Sequence, residues 1–199
     1  MMNWNVTTAK EKFSLEIMKI TDTDLQTACI KMMGEIPDYF WTVPASSSGK
    51  YHPQCDLGEG GLVRHSIMVA TCAEDLVISE MFVRDCPVNR DIARVAALFH
   101  DTWKNGIADE KGEYGTHTVH EHPKFASEFV RKALEDANID SLKVEMICGA
   151  IYTHMGKWCV SKYSEVALSK PRTDFEKMVH IADYMASRKY IGGLGEWSE

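Results

Sequence analysis

Ala97-Leu98-Phe99-His100-Asp101-Thr102-Trp103-Lys104 carries an apolar helical stripe straight into two adjacent ionisable side chains, and the reading of that junction decides the fold. Upstream of it, from about Asn89, the residues Ile92, Val95, Ala96 and Phe99 recur at helical spacing and make one apolar face. A histidine and an aspartate that continue such a face point inward, where a polar group without a partner is costly and a bare carboxylate more so.

The same pattern recurs on both sides. Leu62, Val69, Cys72 and Leu76 predict a helix over about 61–82 with His65 inside its stripe. Pro123 suits a first helical turn, with Phe125, Ala126, Phe129, Val130, Ala133 and Leu134 behind it, so His122 stands at that helix's N-terminal edge. Ser141 is a candidate cap for a helix whose stripe Val144, Ile147, Ile151 leads to His154, with Gly156 as a stop. Thr173-Asp174-Phe175-Glu176 reads as a capping box opening a last helix, with Phe175, Val179, Ala182, Ala186 and Asp183 on one face. β-branched residues alternate at period two nowhere for long. The expected fold is therefore all-α, a bundle of about six or seven helices.

At 199 residues, 45% hydrophobic and 26% charged, the chain is expected to form a single domain over 1–199, with its core at about 44–190 and residues 1–43 as a packed extension. Ile36–Gly61 and Lys104–Gly115 have loop composition. No apolar run approaches the roughly 18 residues that cross a bilayer, and Met1–Ile20 lacks the features of a leader, so a cytoplasmic protein without a membrane partner is expected. The six cysteines are never closer than eleven positions, which excludes CxxC motifs and zinc knuckles and suits reduced, mostly core thiols. With 29 acidic and 22 basic side chains, a net charge of −7 argues against tight nonspecific duplex binding. Within Lys157–Arg172, however, Lys157, Lys162, Lys170 and Arg172 face only Glu165 as an acid, a strip able to guide a polyanion.

Of the eight histidines, His65, His100 and His154 share inward stripes with Asp101 and Asp183, and His122 joins them at a helix start. Taken alone, His65 or His154 reads as a core histidine with a hydrogen-bond partner. Taken together, the set reads as imidazole and carboxylate ligands for a divalent metal, one ion or two, of the Mn, Fe, Co, Ni, Zn or Mg type. His117 and His120 are alternatives to His122 by spacing alone.

From about Pro44 to Arg188 the chain resembles the HD-domain superfamily of metal-dependent phosphohydrolases. The resemblance rests on Gly60-Gly61-Leu62-Val63-Arg64-His65-Ser66, on the stretch from Ala97 to Lys104, on His122-Pro123, on Thr153-His154-Met155-Gly156 and on His180-Ile181-Ala182-Asp183. Tyr51-His52-Pro53 and Lys170-Pro171-Arg172-Thr173 look most like the HD domain of 3′→5′ exoribonucleases. The resemblance implies a first metal on His65, His100, Asp101 and Asp183, with Asp101 bridging to a second on His122 and His154; the HP context favours His122 over its neighbours. Met155 stands where relatives with a doubled histidine have another imidazole.

It further implies an enzyme that cleaves a phosphoester of a nucleotide or related small phosphorylated substrate with metal-activated water. Asp101 and Lys104 are then the catalytic candidates, and Lys104, His52 and Arg188 the substrate-binding ones. By position alone, Arg188 reads somewhat better as pairing with a surface carboxylate. His180 is expected to pack rather than ligate, and Trp103 and Trp158 either stack a base or close the core. The competing readings are a 3′→5′ exonuclease on single-stranded RNA or DNA and a non-catalytic nucleotide-binding module. A homo-oligomer is compatible with all three.

Overall fold

The computed structural model describes residues 4–46 and 49–189; Ser47 and Ser48 of the first loop, the first three residues and everything after Lys189, including the expected core boundary at 190, lie outside it. Among the described residues there are seven α-helices and no strand. They are α1 (Val6–Ile17), α2 (Thr23–Glu35), α3 (Gly61–Ile78), α4 (Pro87–Phe99), α5 (His122–Asp136), α6 (Ser141–Thr153) and α7 (Asp174–Ala186), with short 3-10 turns at Asp38–Trp41, Gln54–Asp56 and Gly156–Trp158. None of these helices is long and apolar enough to cross a membrane.

The helix starts follow local chemistry. Asn5 and Asp22 accept hydrogen bonds from the first-turn amides of α1 and α2, and Pro sits in the first turn of α4 and of α5. The expected cap at Ser141 is one residue late: Asp140 accepts from the amides of Leu142 and Lys143 at 3.1 and 3.2 Å, because a carboxylate at the preceding position reaches both. Thr173 caps α7 through the Glu176 amide at 3.1 Å, but Glu176 returns its carboxylate to the Arg172 amide at 2.6 Å rather than to Thr173. Helix α3 ends at Ile78, short of the expected 82, where Glu80 turns into the left-handed region at φ 53°.

Helix α3 packs against α4 and α7, α6 against α4, α5 and α7. The N-terminal pair joins the same apolar cluster: Phe13 of α1 meets Phe40, Trp41 and Phe99 edge-on at 5.5–5.6 Å. Polar ties reinforce the seat. Asp91 of α4 accepts from the Thr21 and Asp22 amides and the Thr21 hydroxyl at 2.8–3.1 Å, and buried Arg94 is held between Glu16 and Glu74.

Candidate metal centre

Helix ends bring the chemistry together. His100 follows the last residue of α4 and Asp101 comes next, His154 follows the last residue of α6, His122 is the first residue of α5, His65 lies near the start of α3 and Asp183 near the end of α7. The C-terminal ends of α4 and α6 turn the negative poles of their dipoles towards this point, which favours a cation there. Its four imidazoles and Asp101 are almost fully buried; the Asp183 side chain is 22% exposed and faces a cavity.

The geometry is specific. Asp183 Oδ1 lies 3.0 Å from His65 Nε2 and 3.8 Å from His100 Nε2. Asp101 divides its oxygens: Oδ2 lies 3.4 Å from His100 Nε2, while Oδ1 lies 3.0 Å from His122 Nε2 and 3.6 Å from His154 Nε2. Ligand atoms within 4.8 Å of one another are offered by three overlapping groups: His65, His100 and Asp101; His100, His154 and Asp183; and Asp101, His122 and His154.

Ring orientation is fixed from behind. The Nδ1 atoms of His100, His122 and His154 lie 2.6–2.7 Å from the carbonyls of Ala97, Val119 and Ile151, each three residues earlier. A carbonyl only accepts, so each Nδ1 carries a proton and each Nε2 turns a lone pair inward unless that ring is charged. The two Nε2 atoms of His122 and His154 stand 3.2 Å apart. Lone pairs that close repel unless a proton or a cation lies between them. His100 Nε2 and Asp101 Oδ1 are buried without a hydrogen-bond partner. This donor set therefore fits a divalent cation on chemical grounds, with neutral nitrogens and carboxylates converging on one interior point.

The buried groups also balance charge among themselves. Burial opposes ionisation of Asp101, yet Lys104 and His100 outweigh it and hold the carboxyl well below the usual range. Asp183 is only partly buried, and its hydrogen bond with His65 and the charge of His100 outweigh desolvation and lower its pKa. For His100, burial is overcome by the two aspartates and its pKa rises. Burial, with His100 and His122 beside it, pushes His154 down to about 3, and burial plus His65 and Lys104 does the same for His52.

The centre opens into a cavity of about 570 Å³ whose wall includes His52, Lys104, Met155, Lys157, Trp158 and Arg188. The His52 ring is 5.1 Å from that of His65. Lys104 lies in this wall with its ammonium on Asp101 Oδ2, at 2.5 Å. Arg188 sits over the rings of Tyr51 and Tyr184 at 5.2 and 4.3 Å and donates to the Tyr184 carbonyl and the Ser187 hydroxyl; among the described residues it has no carboxylate partner. The two tryptophans part company. Trp158 lines the cavity and stacks on Tyr184 at 5.8 Å, whereas Trp103 leans on Phe129 and Tyr114 outside it.

His117 is exposed and His120 half-buried, both outside the cluster that His122 joins. His180 packs beneath Gly156, where a Cβ would stand 2.1 Å from its ring, and its Nδ1 donates to the His154 carbonyl at 2.7 Å. One group escaped the sequence reading. Asp56, 2% exposed, turns Oδ2 towards His65 Nδ1 at 3.8 Å, and neither atom has a hydrogen-bond partner. It lies in the aperiodic loop before α3, so no helical stripe could have marked it.

A family model, that of the HD domain, matches residues 62–188. Neither the curated proteins nor the solved structures offer a significant match.

Proposed function

Because the chain belongs to the HD-domain family, we propose that it is a metal-dependent phosphohydrolase acting on a phosphoester of a nucleotide or related small phosphorylated substrate. The observation that carries this reading is the division of Asp101, whose two oxygens face two different sets of imidazole nitrogens. His65, His100, Asp101 and Asp183 would hold one divalent ion, and His122, His154 and the other Asp101 oxygen a second. When bound, such ions supply positive charge that acidifies a water and neutralises phosphoryl oxygens.

The remaining work falls to the chain itself. The three backbone carbonyls behind His100, His122 and His154 fix the nitrogens that face the centre. Lys104 balances Asp101 and stands in the cavity wall, where it can take a share of charge on a phosphoryl oxygen. Arg188, splayed over two tyrosines without an acidic partner among the described residues, suits the planar, two-pronged grip of a phosphate, and His52 and Lys157 line the same cavity. A volume of about 570 Å³ is within the range of small-molecule sites.

The test is hydrolysis of a panel of phosphomonoesters, phosphodiesters and nucleotides with added Mn²⁺, Co²⁺ or Ni²⁺, by wild type and Asp101→Ala. Metal-dependent turnover that disappears in the variant is expected; wild-type rates surviving in Asp101→Ala would refute it. The basic residue Lys157 at the cavity favours testing an exonuclease reading beside it, on a 5′-labelled single strand. Stepwise shortening would support that reading, and an intact strand beside active nucleotide hydrolysis would reject it. Thermal stabilisation by nucleotide without turnover under any metal would instead support a binding module.

A further inference from the structure

The double glycine that opens α3 does two separate jobs, and the second of them leads to Asp56. Gly60 takes φ +70°, and a Cβ on it would stand 1.6 Å from the Trp4 indole nitrogen. Gly61 has no such backbone requirement; a Cβ there would lie 2.0 Å from the Asp56 carbonyl oxygen. The missing side chain thus lets the Gln54–Asp56 turn rest directly on the first turn of α3. Other contacts clamp it there. Arg64 donates to the carbonyls of Cys55 and Leu57, and the Ala45 amide donates to the Asp56 carbonyl at 3.0 Å.

What this packing delivers is a buried carboxylate behind His65. Cys55 Sγ donates to Oδ1 at 3.6 Å, which leaves Oδ2 facing the imidazole. His65 differs here from the other three rings of the centre. His100, His122 and His154 each tie Nδ1 to a carbonyl of their own chain segment, three residues back. His65, inside a continuous helix, makes no hydrogen bond to a carbonyl, and its Nδ1 lies 3.8 Å from Asp56 Oδ2 without a hydrogen-bond partner. An imidazole that offers one nitrogen to a metal ordinarily gives its other N–H to an acceptor, which sets its tautomer and raises its donor strength.

We infer that Asp56 is the positioning residue for His65: closing the present 3.8 Å separation lets its Oδ2 accept from the Nδ1–H, so that Nε2 is directed to the metal beside Asp183; the inference rests on the metal-centre reading above. Asp56 touches neither ion nor substrate in this role and acts only through the ring.

The experiment compares the affinity for Mn²⁺ and for Co²⁺ of wild type, Asp56→Ala, Asp56→Leu and Asp56→Asn, with melting recorded in EDTA and in saturating metal. Asp56→Ala is expected to weaken metal binding by about 10- to 100-fold. Asp56→Leu, close to aspartate in shape but unable to accept, is expected to behave alike and carries the test should the alanine variant not fold. Asp56→Asn keeps an acceptor in place and is expected to rescue most of the affinity. A merely structural Asp56 would lower the melting temperature equally with and without metal; a positioning residue leaves the value in EDTA unchanged or higher, since a desolvated carboxylate has gone, and shrinks the metal-induced gain. Unchanged affinity in the alanine and leucine variants, or an equal loss of melting temperature in both conditions, overturns the inference. A wild-type chain that takes up neither metal overturns the metal-centre reading itself, and this inference with it.

Discussion

Gly61→Ala puts the close seat of the 54–57 segment to a quantitative test. The new methyl would lie 2.0 Å from the Asp56 carbonyl oxygen, 2.7 Å from its carbon and 3.0 Å from the Ala45 amide nitrogen. All three are backbone atoms, so no flexible tip can swing aside. Ordinary contact begins at 3.4 Å, which requires about 1.4 Å of separation between turn and helix. That displacement lifts the turn off α3 and draws Asp56 away from His65.

Overpacking of this kind costs about 1–3 kcal/mol. A chain of this size loses about 2–4 °C of melting temperature per kcal/mol, so a fall of roughly 2–12 °C is expected in a circular-dichroism melt with EDTA present. Gly34→Ala is the control of opposite sign. Gly34 sits in exposed helix near the end of α2 with nothing within 4 Å of a Cβ, so alanine there is expected to hold or gain up to about 1 kcal/mol. A Gly61→Ala protein that melts at or above wild type would refute the close-contact argument.

Other outcomes follow from the same geometry. Mn²⁺ at a hundredfold excess over its dissociation constant is expected to add about 2.7 kcal/mol of stability, read as a melting rise of roughly 5–11 °C that EDTA reverses. Arg188→Ala is expected to raise KM for a phosphorylated substrate by about tenfold or more with little change in kcat, and Arg188→Lys to recover only part, because a point charge replaces a planar fork; steady-state kinetics decide. Asp22 caps α2 and pairs with Lys143 at 2.5 Å, so Asp22→Ala is expected to cost about 1–2 kcal/mol at pH 7 in urea unfolding. The Lys143 hydrogen bond and backbone amides lower the Asp22 pKa below its ordinary 3.8, so this stabilisation is present above about pH 4 and disappears as pH falls through the folded-state value. A wild-type minus variant difference that persists unchanged at pH 2 would contradict it.

The convergence of helix ends was legible because helical period is a geometric rule. A histidine that falls on an apolar stripe, as His65 does, or just beyond its last residue, as His100 and His154 do, must face the interior whatever the tertiary arrangement. His122 needed more than period, since His117 and His120 stand within five residues of it and only the start of α5 tells them apart. What stayed hidden depends on segments meeting across the chain. Asp56 lies in a loop without period and acquires its position from an approach that only Gly61 permits. The cap of α6 was misassigned because Asp140 and Ser141 are adjacent and both competent, and one residue of register is finer than composition resolves.

The six groups of the centre run from His65 to Asp183, and the last of them lies 3.0 Å from the first. During synthesis, His65, His100, Asp101, His122 and His154 all leave the ribosome before the carboxylate that closes the set, and each must wait for α7. Domains assemble as units once their last essential element is available, and here that element brings Asp183. A growing chain therefore holds a donor set that is one carboxylate short until α7 has emerged. Metal uptake at the set that Asp183 completes, as distinct from the His122, His154 and Asp101 set, would then mark completed long-range closure of the helices, a readout of native assembly that secondary structure alone does not provide.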